Sequence, residues 1–396
     1  MNDGVVPGPW LRATALAAGA AAAAAVVSGV TGGGAPHRLL AALAAPPLAA
    51  LLCAALLAHR QLLVPALAAC GAVALAAVLP ARGLHAGFAA AALAAVAVVC
   101  SRTLSGERPA RASWRDYVTL TTPRIMTLLL LTGLCGLVAG AHGLPSATRT
   151  LAAMFGLALA CGGASALNHV LDRDIDRLMG KRTEQRPVAA GRIPASRGLE
   201  FGLALSAASF TLLASTVNVL TAVLALAGNL FYVVVYTRWL KRSTPQNIVI
   251  GGAAGAVPPL VGWAAAGHGL GLPALVLFAI VCVWTPPHFW ALALLLKEHY
   301  AKADVPMLPV VRGVRATERQ IVVYTVVLVA LTCTPPAFGV FGTMYLVAAL
   351  VLGGAFTWLA LRLQRSGTRR DAALLFHYSL LYLALLFVAV ALDAAV

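Results

Sequence analysis

Long runs of apolar residues, each about 20 residues in length and almost free of charge, dominate the sequence from residue 125 onward. The hydrocarbon core of a bilayer is about 30 Å thick, and a helix needs about 20 apolar residues to cross it. A transmembrane β-barrel would instead alternate apolar and polar residues. The runs therefore predict an all-α polytopic membrane protein. The nine predicted spans lie at about 125–142, 148–168, 198–216, 218–237, 247–266, 273–296, 320–337, 342–362 and 372–394.

The composition excludes a soluble protein, because 61% of the residues are hydrophobic and only 11% are charged. A soluble domain has about 45–50% apolar and about 25% charged residues. In a soluble protein the formal net charge of +16 would suggest a nucleic-acid partner. Here the basic residues lie in the connections between apolar runs, so we expect no nucleic acid. The seven cysteines all fall in apolar stretches without close pairs, which indicates small buried side chains.

Most of the 29 Lys and Arg residues lie in alternate connections between the nine runs. Loops rich in Lys and Arg stay on the cytoplasmic side of a membrane. The connections after the second, fourth, sixth and eighth runs are therefore predicted to be cytoplasmic, and the C-terminus to be outside. We expect a multi-pass protein of the cell membrane, surrounded by membrane lipid.

The N-terminal part of the chain is rich in Ala and Leu and nearly free of charge, and a basic stretch separates it from the nine runs. We predict a membrane extension of unknown role at 1–100, a basic linker at 101–116 and a nine-helix domain at 117–396. The extension divides into about four extra N-terminal transmembrane helices, the first of which could instead be a cleaved signal peptide. Its histidines could ligate haem or simply lie at helix ends. The stretches are 12–31, 38–58, 61–80 and 84–100, and the histidines are His37, His59 and His85.

The connection after the second run carries a regular pattern of polar residues. Asn168, Asp172 and Asp176 recur every four residues, so on a helix they form one stripe, from which Asp174 points away. Mg²⁺ prefers oxygen ligands and is commonly held by one or two carboxylates together with substrate phosphates. The stripe therefore predicts a Mg²⁺ site at the membrane surface. The alternative is a solvated, charge-balanced loop.

Basic residues follow the stripe closely, namely Lys181, Arg182 and Arg186. Guanidinium groups bind phosphate oxygens through two parallel hydrogen bonds. Beside a metal ion, such groups would offset the negative charge that develops on a departing diphosphate. The first basic loop therefore predicts a site for a metal-bound diphosphate.

A second polar region borders the fourth and fifth runs. Its residues are Tyr236, Lys241, Arg242, Gln246 and Asn247. The glycines that follow, Gly251, Gly252 and Gly255, predict a close approach of neighbouring helices, although packing alone would account for them. The pair Pro258–Pro259 predicts a break in the fifth helix.

A third polar region lies in and after the sixth run. His288 stands near the middle of that run beside a proline pair. An ionisable side chain at this depth is costly and commonly functional, and packing between helices is the alternative. Where the helix leaves the membrane, Glu298, Tyr300 and Asp304 predict a second polar cluster that faces the first.

In their order along the chain, these motifs resemble those of the UbiA superfamily of intramembrane prenyltransferases. The segment 168–187 is similar to the signature that the whole superfamily shares. The segments 236–252, 284–290 and 305–310 are similar to those of one branch, the protoheme IX farnesyltransferases or haem O synthases. The resemblance covers about 116–394 and includes the count of nine helices.

The resemblance implies a prenyltransferase that moves a farnesyl group from farnesyl diphosphate to a vinyl group of haem b. Water is added in the same reaction, and the product is haem O for terminal oxidase assembly. Mg²⁺ is the implied metal, with Mn²⁺ as the alternative, and haem A synthase is an implied partner. Two competing interpretations remain open: a UbiA-type enzyme that prenylates a quinone precursor, and a haem or lipid transporter without chemistry.

The resemblance also implies three sets of site residues. The catalytic set is Asn168, Asp172, Asp176, Arg182 and Arg186. The substrate-binding set is Lys181, Tyr236, Lys241, Arg242, Gln246, Asn247, His288 and Tyr300. The metal-binding set is Asn168, Asp172, Asp176, Glu298 and Asp304. In one departure from the family pattern, His299 stands where an acidic residue is usual, so Glu298 or Asp304 is expected to supply that oxygen ligand.

Overall fold

The computed structural model describes residues 112–267 and 269–395, apart from the side chains of Arg182 and Phe338. The 1–100 extension, with its predicted spans and its histidines, lies outside the described residues. Every regular element in the described part is a helix. Nine of these helices are long and apolar enough to cross a bilayer, which confirms the all-α membrane fold and the predicted number of spans after residue 112.

The nine spanning helices are numbered α1 to α9 in chain order. They are α1 (Pro123–Ala141), α2 (Ala147–Leu171), α3 (Ala195–Thr216), α4 (Val219–Ser243), α5 (Asn247–Ala265), α6 (Leu272–Leu295), α7 (Val314–Ala337), α8 (Thr343–Ser366) and α9 (Arg369–Ala395). Short helices lie before α1 and in the connections. They are Trp114–Leu120, Arg173–Leu178, Lys181–Glu184, Lys297–Lys302 and Leu308–Val311.

Several predicted boundaries differ from those in the structure, among them the end of α4, which lies at Ser243 and not at 237. The linker was expected to reach residue 116, but a helix already begins at Trp114, because the Asp116 carboxylate accepts hydrogen bonds from the backbone N–H and the hydroxyl of Ser113. Such a capping arrangement satisfies a free N–H at a helix start. Helix α7 begins at Val314, several residues before the predicted 320. Its first turns contain charged residues, so hydropathy alone does not reveal them.

The helices pack mainly against their neighbours in sequence, and α9 returns to pack against both α1 and α6. Helix α1 also packs closely against α5. Large apolar side chains such as Val351 and Trp358 are exposed on α8, as expected where lipid surrounds the protein. The bundle thereby brings the ends of α2, α4 and α6 to one side of the protein.

Prolines act differently in the fifth and sixth helices. Helix α5 consists of two pieces, Asn247–Gly255 and Val257–Ala265, with Pro258 and Pro259 in the first turn of the second piece. This confirms the predicted break. Helix α6 runs through its own proline pair without an interruption.

Helix α4 contains a π-helical stretch, Phe231–Leu240, that the sequence pattern did not predict. The Thr237 hydroxyl donates to the carbonyl of Tyr232, five residues earlier, at 2.9 Å. The rings of Tyr232 and Tyr236 stack with centroids 5.5 Å apart. Local π-helical geometry is frequent at functional sites. Here it turns Thr237 toward α2 at the end of the bundle where the polar residues gather.

Glycines permit the closest helix contacts, as small residues do in membranes. A Cβ on Gly251 would lie 2.3 Å from the ring of Tyr236, and one on Gly252 would lie 2.9 Å from Thr285. A Cβ on Gly255 would have no neighbouring atom within 4 Å. The predicted close approach of neighbouring helices is therefore confirmed at Gly251 and Gly252 but not at Gly255. At the crossing of α1 and α5, a Cβ on Gly262 would lie 1.8 Å from the carbonyl oxygen of Gly133.

We therefore predict that Gly262→Ala destabilises the bundle by about 1–3 kcal/mol, because the added methyl group must push two backbones apart. Gly255→Ala, in the same helix, is the matched control and should leave stability unchanged or slightly raised. Denaturant unfolding of the full chain in detergent, followed by circular dichroism, measures both changes. Equal stability of the two variants would contradict the inferred contact.

Candidate functional site

The polar residues of the first loop gather where α2 ends. Helix α2 stops at Leu171, and the short helix Arg173–Leu178 follows at once. The backbone N–H of Asp172 still donates to Asn168, and that of Asp176 to Asp172, each at 2.8 Å. The four-residue spacing therefore continues across the junction. We call Asn168, Asp172 and Asp176 the acidic stripe.

All three residues of the acidic stripe are buried, and Asp172 is fully so. One oxygen of Asp172 accepts hydrogen bonds from Lys241 Nζ and, at 2.8 Å, from Asn168 Nδ2. Its other oxygen, Oδ1, is buried and has no hydrogen-bond partner among the described residues, although Arg242 Nη2 lies 3.9 Å away. A buried carboxylate oxygen without a partner is costly. Asp172 Oδ1 is therefore a candidate metal ligand.

Arg186 forms the second ion pair of the acidic stripe. Its Nη1 donates to both oxygens of Asp176, at 2.8 and 3.0 Å. Burial raises the pKa of Asp176, and the guanidinium of Arg186 acts in the opposite direction. Arg186 itself is partly exposed, so its side chain lies between the buried carboxylate and solvent.

Asp174 differs from its two neighbours, because its side chain is 60% exposed and lies off the acidic stripe. Arg242 donates two hydrogen bonds to it, both at 2.7 Å, and a third to the carbonyl of Leu171 at 2.8 Å. The hydrogen bonds from Arg242 are the main reason why the pKa of Asp174 falls to about 2. This pair ties the end of α4 to the end of α2.

Three carboxylates and three cations thus neutralise one another at the ends of α2 and α4. They are Asp172, Asp174 and Asp176 with Arg186, Lys241 and Arg242. A divalent cation with a diphosphate could replace this internal pairing, because the ion takes the carboxylates while the freed basic groups take the phosphates. The unpartnered Asp172 Oδ1 and the oxygen-rich stripe fit Mg²⁺.

Aromatic and amide side chains surround these charges. Tyr300 interacts electrostatically with Lys241, Arg186 and Asp172, and burial raises the pKa of its hydroxyl. Asn168 Nδ2 also donates to the hydroxyl of Thr237 at 3.1 Å. Thr237 thereby connects the π-helical stretch of α4 to the acidic stripe.

The remaining residues of the predicted set lie in different environments. Asn247 is fully buried, and neither atom of its amide has a hydrogen-bond partner within the described part of the chain. The adjacent Gln246 is exposed, as is Lys181. The side chain of Arg182 lies outside the described residues. Of these residues, Asn247 is the one whose buried amide is suited to hydrogen-bond a ligand.

The expected second acidic cluster is not assembled in the structure. Glu298 and Asp304 are exposed, and among residues 112–267 and 269–395 no three His, Cys, Asp or Glu side chains form a metal-binding group. His299 packs closely against the first loop, because a Cβ on Gly180 would lie 2.9 Å from Cδ2 of its ring. His299 thus joins the loop after α6 to the loop after α2.

His288 is buried in α6 between two aromatic rings. The ring centroid of Trp284 lies 4.4 Å from that of the imidazole, and that of Phe376 lies 4.8 Å away on α9. His288 Nδ1 forms a hydrogen bond of 2.7 Å with Ser379 Oγ. His288 lies seven residues before the end of α6, which places it about 10 Å deeper than that end.

Sequence reasoning missed several residues that build this region. Thr237 lay in a quoted motif, but its contact with Asn168 depends on the π-helical turn. Ser379 and Phe376 lie about 90 residues after His288, and no local pattern marks them. His169 is different, because an ionisable side chain at the end of the second apolar run already stands out in the sequence. It is buried beside the acidic stripe, and its Nδ1 has no hydrogen-bond partner among the described residues.

Comparisons with known proteins identify the family of the chain. A model of the UbiA prenyltransferase family matches residues 129–388. The chain is 51% identical over 281 residues to the protoheme IX farnesyltransferase of Symbiobacterium thermophilum, covering 70% of this chain and 94% of that relative. It is 49% identical over 292 residues to protoheme IX farnesyltransferase 1 of Pseudomonas fluorescens, covering 73% and 97%.

Two further relatives are longer. The chain is 51% identical over 282 residues to the protoheme IX farnesyltransferase of Roseiflexus sp., but it spans only 53% of that protein. It likewise spans 52% of the relative from Roseiflexus castenholzii. The chain therefore covers about half the length of these two relatives.

Solved structures share the fold at low sequence identity. A structure of digeranylgeranylglyceryl phosphate synthase superposes with a TM-score of 0.60 at 18% identity, covering 71% of this chain and 98% of the other. A UbiA homologue from Archaeoglobus fulgidus bound to DMAPP and Mg²⁺ gives 0.54 at 17% identity, covering 69% and 99%. These similarities establish the common helical architecture.

We predict that Thr237→Val lowers the free energy of unfolding by about 1–3 kcal/mol, because buried hydrogen-bonding groups on α2 and α4 lose a partner. Thr237→Ser keeps the hydroxyl and should lose less. Thr325→Val is the matched control, since Thr325 is also fully buried but donates only within its own helix. Denaturant unfolding in detergent compares the three variants. A loss at Thr237 no greater than that at Thr325 would argue against the link between α2 and α4.

Proposed function

Because the chain belongs to the UbiA prenyltransferase family, we propose that it transfers a farnesyl group from farnesyl diphosphate to a vinyl group of haem b. The C1–O bond of the diphosphate breaks, and C1 bonds to one vinyl carbon. Water adds to the other vinyl carbon, and diphosphate and a proton are released. The product is haem O, for terminal oxidase assembly. Two relatives named protoheme IX farnesyltransferase are about 50% identical to the chain over most of their own length.

The buried, internally neutralised acidic stripe is the observation that carries the proposal. Asp172, Asp176 and Asn168 would hold Mg²⁺, and the same oxygen ligands are compatible with Mn²⁺. When bound, the ion supplies Lewis-acid stabilisation of the diphosphate leaving group. The free Oδ1 of Asp172 supports this assignment, because it is buried and without a hydrogen-bond partner among the described residues.

The basic residues would then bind the diphosphate. Lys241 and Arg186 would exchange their carboxylate partners for phosphate oxygens. Lys181 and Arg182 belong to the same loop as Arg186 and would add further positive charge. Fixed cations stabilise the charge that develops as the C1–O bond breaks. The unpartnered amide of Asn247 supplies both a donor and an acceptor at the start of α5.

The acceptor would lie deeper in the bundle, beside His288. Buried aromatic rings around this histidine offer an apolar surface of the kind that a porphyrin requires. Exclusion of water around the allylic C1 prevents simple hydrolysis of the farnesyl group. The added farnesyl chain makes haem O more hydrophobic than haem b and keeps it in the membrane, so we also propose haem A synthase as the partner that receives it.

The direct experiment incubates the purified full chain with labelled farnesyl diphosphate and Mg²⁺, and with either haem b or a quinone precursor. Farnesylated haem with haem b alone supports the proposal. Consumption of label only with the quinone precursor would identify a different acceptor. Release of both compounds unchanged would indicate a transporter. Parallel reactions with Mn²⁺ or a chelator define the metal.

Asp172→Asn and Asp176→Asn should each reduce turnover by 100-fold or more, which corresponds to about 3 kcal/mol or more at about 1.4 kcal/mol per tenfold. Each variant removes a carboxylate from the proposed metal site while keeping the shape of the side chain. Asp174→Asn is the matched control and should reduce turnover less than tenfold, because Asp174 is exposed and lies off the stripe. Product formation at saturating substrate measures the effect, with thermal unfolding as the check on folding. A greater loss at Asp174 than at Asp172 would overturn the assignment.

We also propose that the loops of this site are cytoplasmic in the cell membrane, with the C-terminus outside. Cysteines at Ala190 and Ala301, both exposed, should react with an impermeant maleimide only after the cells are opened. A cysteine at Leu144, which is 90% exposed on the opposite side of the bundle, should react in intact cells. The background lacks the seven native cysteines. The reverse labelling pattern would reverse the topology.

A further inference from the structure

Ser379 of α9 is the hydrogen-bond partner of His288, and it is fully buried. Its Oγ lies 2.7 Å from His288 Nδ1. The same oxygen lies 2.6 Å from the carbonyl oxygen of Phe376 and donates to it. A serine hydroxyl carries one proton, so a hydroxyl that donates to Phe376 must accept from the histidine.

This direction of hydrogen bonding defines the protonation of the imidazole. Nδ1 carries the proton and donates it to Ser379. In a neutral imidazole the other nitrogen, Nε2, then has a free lone pair. Within the described residues, the hydrogen bond of His288 is made through Nδ1. Nε2 is therefore left as a base inside the membrane-spanning bundle.

A second hydrogen bond holds Ser379 in place. Trp284 Nε1 donates to the backbone carbonyl of Ser379 at 2.8 Å. Trp284 and Phe376 also stack on the two faces of the imidazole, with interplanar angles of 15° and 21°. The ring of His288 is thus restrained both by its hydrogen bond and by its neighbours on each face.

We propose that Ser379 is a positioning residue that holds His288 with Nε2 free to coordinate the iron of haem b, the acceptor substrate. The inference rests on the proposed function and extends it to a residue that no sequence motif marks. An imidazole binds iron through the edge of its ring, and stacking covers only the two faces. A third ring, that of Phe289, stands perpendicular to the imidazole with centroids 5.2 Å apart. Histidines that bind metals commonly donate their other N–H to a fixed oxygen, which orients the ring and strengthens the base.

The position of His288 fits this role. The acidic stripe lies at the end of the bundle where α6 ends, and His288 lies about 10 Å deeper along that helix. Iron bound there would keep the porphyrin within the apolar part of the bundle, while the diphosphate stays with the charged residues at the surface. The two substrates would therefore approach one another from different depths.

The test is a titration of the full chain, purified in lipid nanodiscs, with ferric haem b and without farnesyl diphosphate. Absorption and electron paramagnetic resonance spectra report the iron ligand. We expect His288→Gly to lose the histidine-ligand spectrum and added imidazole to restore it. Ser379→Ala should weaken haem binding by about 10- to 100-fold, and Ser379→Thr, which keeps the hydroxyl, should restore most of it.

Ser209→Ala is the matched control, because Ser209 is equally buried in a membrane helix and donates to a backbone carbonyl at 2.7 Å. It should leave haem affinity and spectra unchanged. Wild-type affinity and spectra in Ser379→Ala would overturn the inference, as would a histidine spectrum that persists in His288→Gly. If Ser379→Ala fails to fold, imidazole rescue of His288→Gly and the Thr variant still decide.

A separate assay distinguishes failure of this inference from failure of the proposed function. If the wild-type chain ligates haem through His288 but forms no farnesylated haem, the farnesyl transfer is wrong and the haem site stands. If farnesylated haem forms at the wild-type rate in Ser379→Ala with an unchanged spectrum, the reaction stands and the role of Ser379 is refuted.

Discussion

Neutralisation of two buried carboxylates is the constraint on which the arrangement of the site depends. Asp172 and Asp176 lie just after the C-terminal end of α2 and have almost no exposure to solvent. A buried charge without a partner costs several kcal/mol, and partners from other parts of the chain reduce this cost. Lys241 must therefore come from α4 and Arg186 from the loop. The π-helical stretch of α4 also contacts α2 here, through the hydrogen bond between Thr237 and Asn168.

The same pairing makes the site suitable for a charged substrate. Each carboxylate already holds a cation, so a metal ion and a diphosphate can enter by exchange of partners without adding a large net charge to a buried region. The proposed acceptor site is built differently, from aromatic rings and one oriented imidazole. The side chains change along the bundle from charged at its end to aromatic deeper inside. The diphosphate would therefore bind at the end and the haem below it.

Local patterns predicted much of this molecule. Runs of about 20 apolar residues suffice to predict the nine spanning helices between residues 112 and 395, because a bilayer requires each crossing segment to be helical and apolar. The four-residue spacing placed Asn168, Asp172 and Asp176 on one stripe, since helical geometry depends only on neighbours in the chain. The break in α5 followed from its prolines. Local patterns did not predict the π-helical stretch or the helical start at Trp114, and they placed Glu298 and Asp304 in a cluster that the structure does not form.

The sequence by itself determined the fold class, the spans after residue 112 and the residues that carry charge at the membrane surface, because hydropathy, helix period and basic loops are properties of neighbouring residues. Only the tertiary structure decided which cation meets which carboxylate, that His299 packs against Gly180, and that Ser379 holds His288. These contacts join residues distant in sequence. They depend on how α2, α4, α6 and α9 pack, and helix packing is set by the shapes of whole surfaces, which no short motif records.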